Sequence, residues 1–371
     1  MMLKPIKAFL IAGARPNFMK IAPIFRASLR YPEVVCKIVH TGQHYDQEMS
    51  QVFFDDLDIP QPAFNLESGS GSHALQTAKI MIAFENICEQ EKPDIVIVVG
   101  DVNSTLACSV VAKKMWITVA HVEAGLRSFD LTMPEEINRL VTDSITDYFY
   151  VTEESGLENL LREGKPRERI HCVGHVMIDN LIYQKYLLEK GDVDVKTFSS
   201  YSLKAENGVY AFLTLHRPSN VDSKKKFFEI ADALNTIAEK RPIFFPVHPR
   251  TRKRANEFGV EFSDRIFLLP PLNFKESLYL WKDAEVVLTD SGGLQEETTA
   301  LGIPCVTLRE NTERPVTVEI GTNILAGTNK ENIIKAYCES IEKAKTASVP
   351  PLWDGKTSER IWKVIKECFE L

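Results

Sequence analysis

Short, continuous runs of apolar and β-branched residues recur along this chain. They constrain its fold more than any other feature. One set covers residues 8–12, 34–40, 95–99, 117–122, 148–152 and 170–173. A second covers 209–215, 243–247, 266–269, 286–289, 305–308 and 323–326. Most do not alternate with polar residues, as a half-exposed strand would, so they read as strands buried on both faces. Helical patterns lie between them, for example at 18–29, 73–90, 135–146 and 227–239. Strand–helix alternation predicts an α/β fold with parallel sheets covered on both sides. The stretch 179–208 starts helical and turns polar, separating the two sets. The expectation is therefore two Rossmann-like domains, 1–177 and 178–352, followed by a terminal helical segment, 353–371.

Composition limits the partners. At about 100–200 residues per domain, 371 residues suit two domains. Such a chain buries enough surface to fold without disulfides or metal. A net charge of −7 opposes a large phosphate-backbone footprint, so nucleic acid is not expected as a partner. A local positive cleft for a small anion stays open. Cys36, Cys88, Cys108, Cys172, Cys305, Cys338 and Cys368 are odd in number and scattered, with no C-x-x-C. They read as reduced cytoplasmic thiols and offer no zinc signature, so no metal is expected. No apolar run approaches the ~18 residues of a membrane span, and the first run ends in Gly13-Ala14-Arg15-Pro16. That reads as a strand and its turn rather than a signal peptide.

Ligands of open α/β sheets bind beyond the carboxyl ends of the strands, and here those ends are polar. After the first run come Gly13, Arg15, Pro16 and Lys20, a turn and helix start with two cations. The spelling is neither G-x-G-x-x-G nor a Walker A loop, so no dinucleotide or P-loop site is expected. Asp101 follows the third run, Glu123 the fourth, and Glu135 opens the helix after Pro134. Each acid alone reads equally well as a cap or a solvated carboxylate. All three on one edge point to proton transfer, with like charges raising one another's pKa.

In the second half, 213–218 ends a strand with His216-Arg217, and 245–252 ends another with His248 and Arg250. Paired His and Arg strand ends suggest an anion. The sharpest segment is 288–297, where a buried run passes through Asp290-Ser291-Gly292-Gly293 into a helix. Glycines at a helix start let backbone N–H groups approach a phosphate closely. Glu297 is placed to accept ribose hydroxyls, and Arg314, after the next strand, to reach the same cleft. The plain alternative is a tight turn before an ordinary acidic helix. Residues 41–46 form a strand-end loop suited to a lid or second ligand, 69–73 a loop capping the next helix, and 224–226 a solvated helix start.

In order, the segments 13–20, 41–45, Gly100-Asp101, 121–127, 134–139, 215–217, 246–248, 289–297 and 312–315 resemble the non-hydrolysing UDP-N-acetylglucosamine 2-epimerases. The similarity runs over about residues 9–327. The resemblance implies a glycosyltransferase-B-like fold, two Rossmann-like domains facing a cleft, with the last helix crossing back onto the first domain. It implies reversible C2 epimerisation of UDP-N-acetylglucosamine to UDP-N-acetylmannosamine. C2–H is not next to a carbonyl and is not acidic, and no nicotinamide motif offers an oxidative route. The family instead eliminates UDP in anti fashion through 2-acetamidoglucal and adds it back, with no cofactor. Matched by position, Asp101, Glu123, Glu135 and His216 are catalytic. Arg15, Lys20, Ser291, Gly292, Gly293, Glu297 and Arg314 bind the substrate, and Gln43, Gln47 and His248 match a second, activating substrate site. The family further implies a cytoplasmic homodimer that feeds polysaccharide biosynthesis. Where some members carry Gln and Phe before the nucleotide helix, this chain has Leu272 and Ser277. The Gly-Ala-Arg-Pro and His-Pro-Arg-Thr spellings also occur in relatives acting on UDP-2,3-diacetamido-2,3-dideoxyglucuronate, leaving the C3 and C6 substituents open. A glycosyltransferase of the same architecture is the other alternative. It would need an acceptor groove, and three acids would be surplus.

Overall fold

The first unit is built on strands β1 (Ile6–Ala12), β2 (Val34–His40), β3 (Phe64–Asn65), β4 (Ile95–Val99), β5 (Thr118–Val122), β6 (Tyr148–Val151) and β7 (Ile170–Cys172). They pair in parallel, in the order β3-β2-β1-β4-β5-β6-β7. The structure, a computed structural model, describes residues 5–42 and 51–369. The continuous apolar runs follow from two cores on opposite faces of this sheet. Ala8, Leu10, Ile95 and Ile97 pack with the helices Arg15–Ser28 and Thr357–Cys368. Phe9, Ile11, Val96 and Val98 pack with the helices His73–Glu91 and Asn103–Lys114. Neither face of β1 or β4 meets water, so neither strand alternates.

The helix Thr357–Cys368 belongs to this unit, which joins the chain up to Asn180 with the chain from Leu352. Fully buried Trp362 donates its Nε1–H to the Ile24 carbonyl at 2.7 Å. Asp179 accepts the backbone N–H groups of Thr357 and Ser358 at 3.0 and 2.7 Å, a carboxylate seated at a helix N-terminus. Gly174, at φ +94°, is required there, because a Cβ would lie 2.2 Å from the Leu352 carbonyl oxygen.

Leu181–Pro351 form the second unit, and the division falls inside the helix Val176–Lys190. Its strands β8 (Ala211–Thr214), β9 (Ile243–Pro246), β10 (Ile266–Leu269), β11 (Val286–Thr289), β12 (Cys305–Thr307) and β13 (Asn323–Leu325) form a parallel sheet in the order β10-β9-β8-β11-β12-β13. Every run named from the sequence is a strand. Among the described residues the one strand without such a signal, β3, has two residues. No helix among the described residues is long and apolar enough to cross a membrane.

Each sheet order reverses once. In the first unit the chain moves outward from β1 on one side and from β4 on the other. In the second the reversal lies between β8 and β11. Such switch points open a crevice at the carboxyl ends of the two central strands. The segments at those ends are Gly13–Lys20 and Gly100-Asp101 in one unit, and His216-Arg217 and Asp290–Gly293 in the other.

Candidate functional site

The first unit's switch point is built from backbone geometry that few residues tolerate. Asn17, on the first turn of the helix Arg15–Ser28, accepts the N–H groups of Gly13 and Ala14 at 3.2 and 3.0 Å, closing the turn after β1. Pro16 sits in the same first turn, where a missing N–H costs nothing. Arg15 is exposed at this start, and Lys20 lies one turn further. Across the sheet, Val99 pairs with Val122, so Gly100 faces Glu123. Gly100 adopts φ +66°, and a Cβ there would lie 3.1 Å from Lys20 Nζ. Glu123 is itself left-handed at φ +68°, a conformation disfavoured for any side-chain-bearing residue. It is held by N–H bonds from Glu123 and Ala124 to the Tyr150 carbonyl at 3.0 and 3.2 Å. That turn aims the buried Glu123 carboxylate at the Lys20 ammonium, with which it forms an ion pair.

Asp101 is half-buried and takes Arg139 Nε at 3.1 Å. Arg139 also donates to Glu136 at 2.7 Å. Burial alone would raise the Glu136 pKa. The N–H groups of Ser128 and Phe129 and the Arg139 guanidinium outweigh it and hold the carboxyl below its usual range. Asn138 ties the Asp101 carbonyl to Asn103 at 2.9 and 3.2 Å. Glu135 is exposed on the first turn of the helix Pro134–Ile145 and takes part in neither ion pair. The sequence predicted three acids tuned by mutual repulsion. The structure instead gives Asp101 and Glu123 a cation each, because Arg139 and Lys20 stand between strand ends that only the sheet order brings together.

Beneath these turns lies a group the sequence reading did not assign. His121 is fully buried, with Nδ1 2.7 Å from Asp143 and Nε2 2.8 Å from the Gly100 carbonyl. Asp143 also accepts Gly125 N–H at 3.0 Å and Arg127 at 2.8 Å.

In the second unit Ser291 stands at the N-cap position of the helix Gly292–Leu301, and its side chain makes no capping bond there. Neither Gly292 nor Gly293 has a positive φ. A Cβ on Gly292 would meet nothing closer than Arg217 NH2 at 3.9 Å, and one on Gly293 nothing closer than Ser291 Oγ at 4.0 Å. The protein's own packing therefore does not demand these glycines, and their smallness leaves open space over a helix N-terminus with a guanidinium beside it. Gln295 anchors the neighbouring loop, accepting Thr312 Oγ1 at 2.6 Å and donating to the Ser291 carbonyl at 3.2 Å. Glu297, on the second turn, is buried, and burial together with the adjacent Glu296 pushes its pKa up to about 8. Arg314 pairs with Glu296 at 2.5 Å.

His216 is half-exposed, and its ring faces Asp290. His248 is exposed, accepts Arg250 N–H at 3.2 Å as the cap of the helix Pro249–Phe258, and has its ring 6.0 Å from that of His216. Gln43 and Gln47 lie outside the described residues. No group of three or more His, Cys, Asp and Glu among the described residues is arranged to hold a metal. The residues missed from sequence are His121, Arg139, Asp143 and Asp290. All lie in or next to recognisable motifs, but their partners are set by sheet order and tertiary packing.

Two doubly wound parallel units place the chain in the glycosyltransferase-B-like α/β class. The family model for UDP-N-acetylglucosamine 2-epimerase matches residues 27–366, and the chain belongs to that family of isomerases. It is 43% identical over 366 residues to a UDP-N-acetylglucosamine 2-epimerase of Methanocaldococcus jannaschii, covering 97% of this chain and 99% of the relative. The crystal structure of the Methanocaldococcus jannaschii UDP-GlcNAc 2-epimerase in complex with UDP-GlcNAc and UDP matches with a TM-score of 0.80 at 42% identity, over 98% of this chain and 100% of that one. A UDP-2,3-diacetamido-2,3-dideoxy-D-glucuronate 2-epimerase of Pseudomonas aeruginosa is 36% identical over 359 residues, covering 96% and 98%.

Proposed function

We propose that this chain interconverts UDP-N-acetylglucosamine and UDP-N-acetylmannosamine by anti elimination of UDP through 2-acetamidoglucal and re-addition. The observation that supports it is the division of chemistry between the two switch points. One presents acids with their own cations, and the other an open, cationic helix start. In the first unit, Asp101, Glu123 and Glu135 supply the proton positions on the two faces of C2. Each of the first two is held in place by a cation, Arg139 for Asp101 and Lys20 for Glu123. Because C2–H is not acidic, it is not lost ahead of the leaving group. As the C1–O bond breaks, charge develops on the diphosphate, and fixed donors aimed at that charge lower the barrier. In the second unit, the Ser291–Gly293 helix start receives the diphosphate, with His216 assisting its departure, Arg314 alongside and Glu297 on the ribose. Arg15 and Lys20 are the first unit's nucleotide contacts.

Proton NMR of the purified protein with UDP-N-acetylglucosamine in D2O tests this. Loss of the C2 proton signal with growth of the manno epimer is the expected result. No exchange, or free N-acetylmannosamine with stoichiometric UDP, refutes it. The Pseudomonas aeruginosa relative favours a second reading, 2-epimerisation of the 2,3-diacetamido-glucuronate sugar, and the same assay with that sugar decides between them. The proposal includes a homodimer working in the cytoplasm and supplying polysaccharide synthesis. Light scattering on the purified chain checks the dimer.

A further inference from the structure

The Asp290 carboxylate is fully buried immediately after β11. Thr289 pairs with Thr214, and this register sets Asp290 beside the turn that follows β8. Its oxygens accept His216 N–H at 3.1 and 3.0 Å, Arg217 N–H at 2.7 Å and Asn220 Nδ2 at 3.2 Å. His216 Nδ1 stands 3.1 Å from Oδ1. The backbone and amide partners are all donors, so the carboxyl group acts as an acceptor throughout. A hydrogen on Nδ1 makes this close contact attractive, whereas a lone pair there would face the carboxylate, and the partner of one ring nitrogen decides the state of the other. We propose that Asp290 is a positioning residue for His216, holding the hydrogen on Nδ1 and leaving Nε2 as the working atom.

This assignment rests on the role given to His216 above and deepens it. One carboxylate holds both the ring and the backbone that carries it, so the tautomer and the orientation of the imidazole have a common anchor. A proton taken up from solvent on Nε2 lies on the side of the ring away from Asp290. It is a donor for a diphosphate oxygen as the C1–O bond breaks. The same carboxylate fixes Arg217, whose guanidinium stands beside the Gly292 helix start. Donor, guanidinium and helix N-terminus therefore come from two strand ends locked together at Asp290. Asp290 therefore acts through the residues it holds and not on the substrate itself.

Long-range 15N–1H correlation NMR of the ligand-free protein reads the tautomer directly, with the His216 signals assigned by their loss in His216→Gln. The expected result is hydrogen on Nδ1 in the unaltered protein and a mixture of tautomers in Asp290→Asn. With the preferred sugar substrate, Asp290→Asn should lose about 10²–10⁴-fold in kcat with KM changed only a few-fold. Asn220→Ala removes a different partner of the same carboxylate. It should cost less than about tenfold in kcat and leave the tautomer alone. A neutral ring with its hydrogen on Nε2 in the unaltered protein overturns the proposal, as does wild-type kcat in Asp290→Asn. So do equal kcat losses in both variants with the tautomer unmoved, the pattern of a purely structural anchor. If Asp290→Asn fails to fold, the tautomer of the unaltered protein decides alone. If no sugar shows C2 exchange, the reaction assigned above falls while the tautomer measurement still stands.

Discussion

Replacing Asp143 should unfold the first unit's switch point from below. Its carboxylate is fully buried and faces three donors, the His121 ring at 2.7 Å, Gly125 N–H at 3.0 Å and Arg127 at 2.8 Å. In Asp143→Ala, Arg127 keeps Glu163 at 2.8 Å, but Gly125 N–H and the His121 Nδ1 side lose their partner. An orphaned buried donor costs about 1–3 kcal/mol, and breaking a buried ion pair about 3–5 kcal/mol. Because one carboxylate makes all three bonds, these do not add, and ~4 kcal/mol is the expected loss. With a urea dependence of about 2 kcal/mol per molar, the midpoint of the first unit's unfolding, read by circular dichroism, should fall by ~2 M. The pH dependence is also set. Burial would raise the Asp143 pKa, but His121 and Arg127 outweigh it and hold the carboxyl below its usual range. A depressed acid contributes stability that is full above its unfolded pKa of ~3.9 and is lost as pH falls through the folded value. The gap between wild type and Asp143→Asn should therefore be widest near neutrality and close in acid. A midpoint shift in Asp143→Ala below about 0.5 M, or a gap that widens on acidification, would refute this account.

Gly292→Ala separates ligand requirements from packing. The added methyl meets no atom within 3.9 Å, so stability should hold or rise by about 0.4–1 kcal/mol. UDP affinity by calorimetry should weaken at least about tenfold, ~1.4 kcal/mol. Unchanged affinity would remove the helix start as the diphosphate site. Lys20→Met leaves Glu123 without its cation and should slow C2 proton exchange about 10²–10⁴-fold. Exchange at the wild-type rate would show that the pair is structural only. Glu297, with its pKa near 8 in the ligand-free protein, holds a proton at neutral pH. Being a raised acid, it costs stability progressively as pH climbs from ~4.5 towards that value. Ribose hydroxyls donating to the ionised form should expel the proton, so UDP binding at pH 7 should release it. Calorimetry in buffers of different ionisation enthalpy would show this, and an identical release in Glu297→Gln would falsify the assignment.

The strands were legible because both sheets are covered on two faces, which turns each central strand into an unbroken apolar run. At the sheet edge β3 leaves no such trace, since two residues carry no period. The first helix begins at Arg15, with Pro16 in its first turn as the sequence suggested, three residues before the apolar pattern sets in at residue 18. What the sequence did not show is the cap, which comes from inside the helix, where Asn17 reaches back to Gly13 and Ala14. At the site, residue types were legible and partners were not. Lys20 and Glu123 are 103 residues apart, and Asp290 and His216 are 74 apart. Asp290 and His216 meet because β11 and β8 are neighbours in the sheet but distant in the chain, and Lys20 reaches Glu123 across the end of β4, which lies between β1 and β5. That is why acids expected to repel one another turn out to sit with cations.

The glycines carry the same lesson further, because sequence cannot distinguish a glycine the fold needs from one a ligand needs. Gly125 lies at φ +78°, and a Cβ there would fall 2.2 Å from the Gly156 carbonyl oxygen, so any side chain would force the strand-end turn apart. Gly292 has ordinary dihedrals and open space above it. Alanine would suit that helix position better than glycine does, and the fold gives no reason for its absence. In the function proposed above, what excludes the methyl group is the diphosphate approaching the backbone at this helix N-terminus beside Arg217. Substituting Gly125 should therefore damage the fold, and substituting Gly292 should damage binding alone.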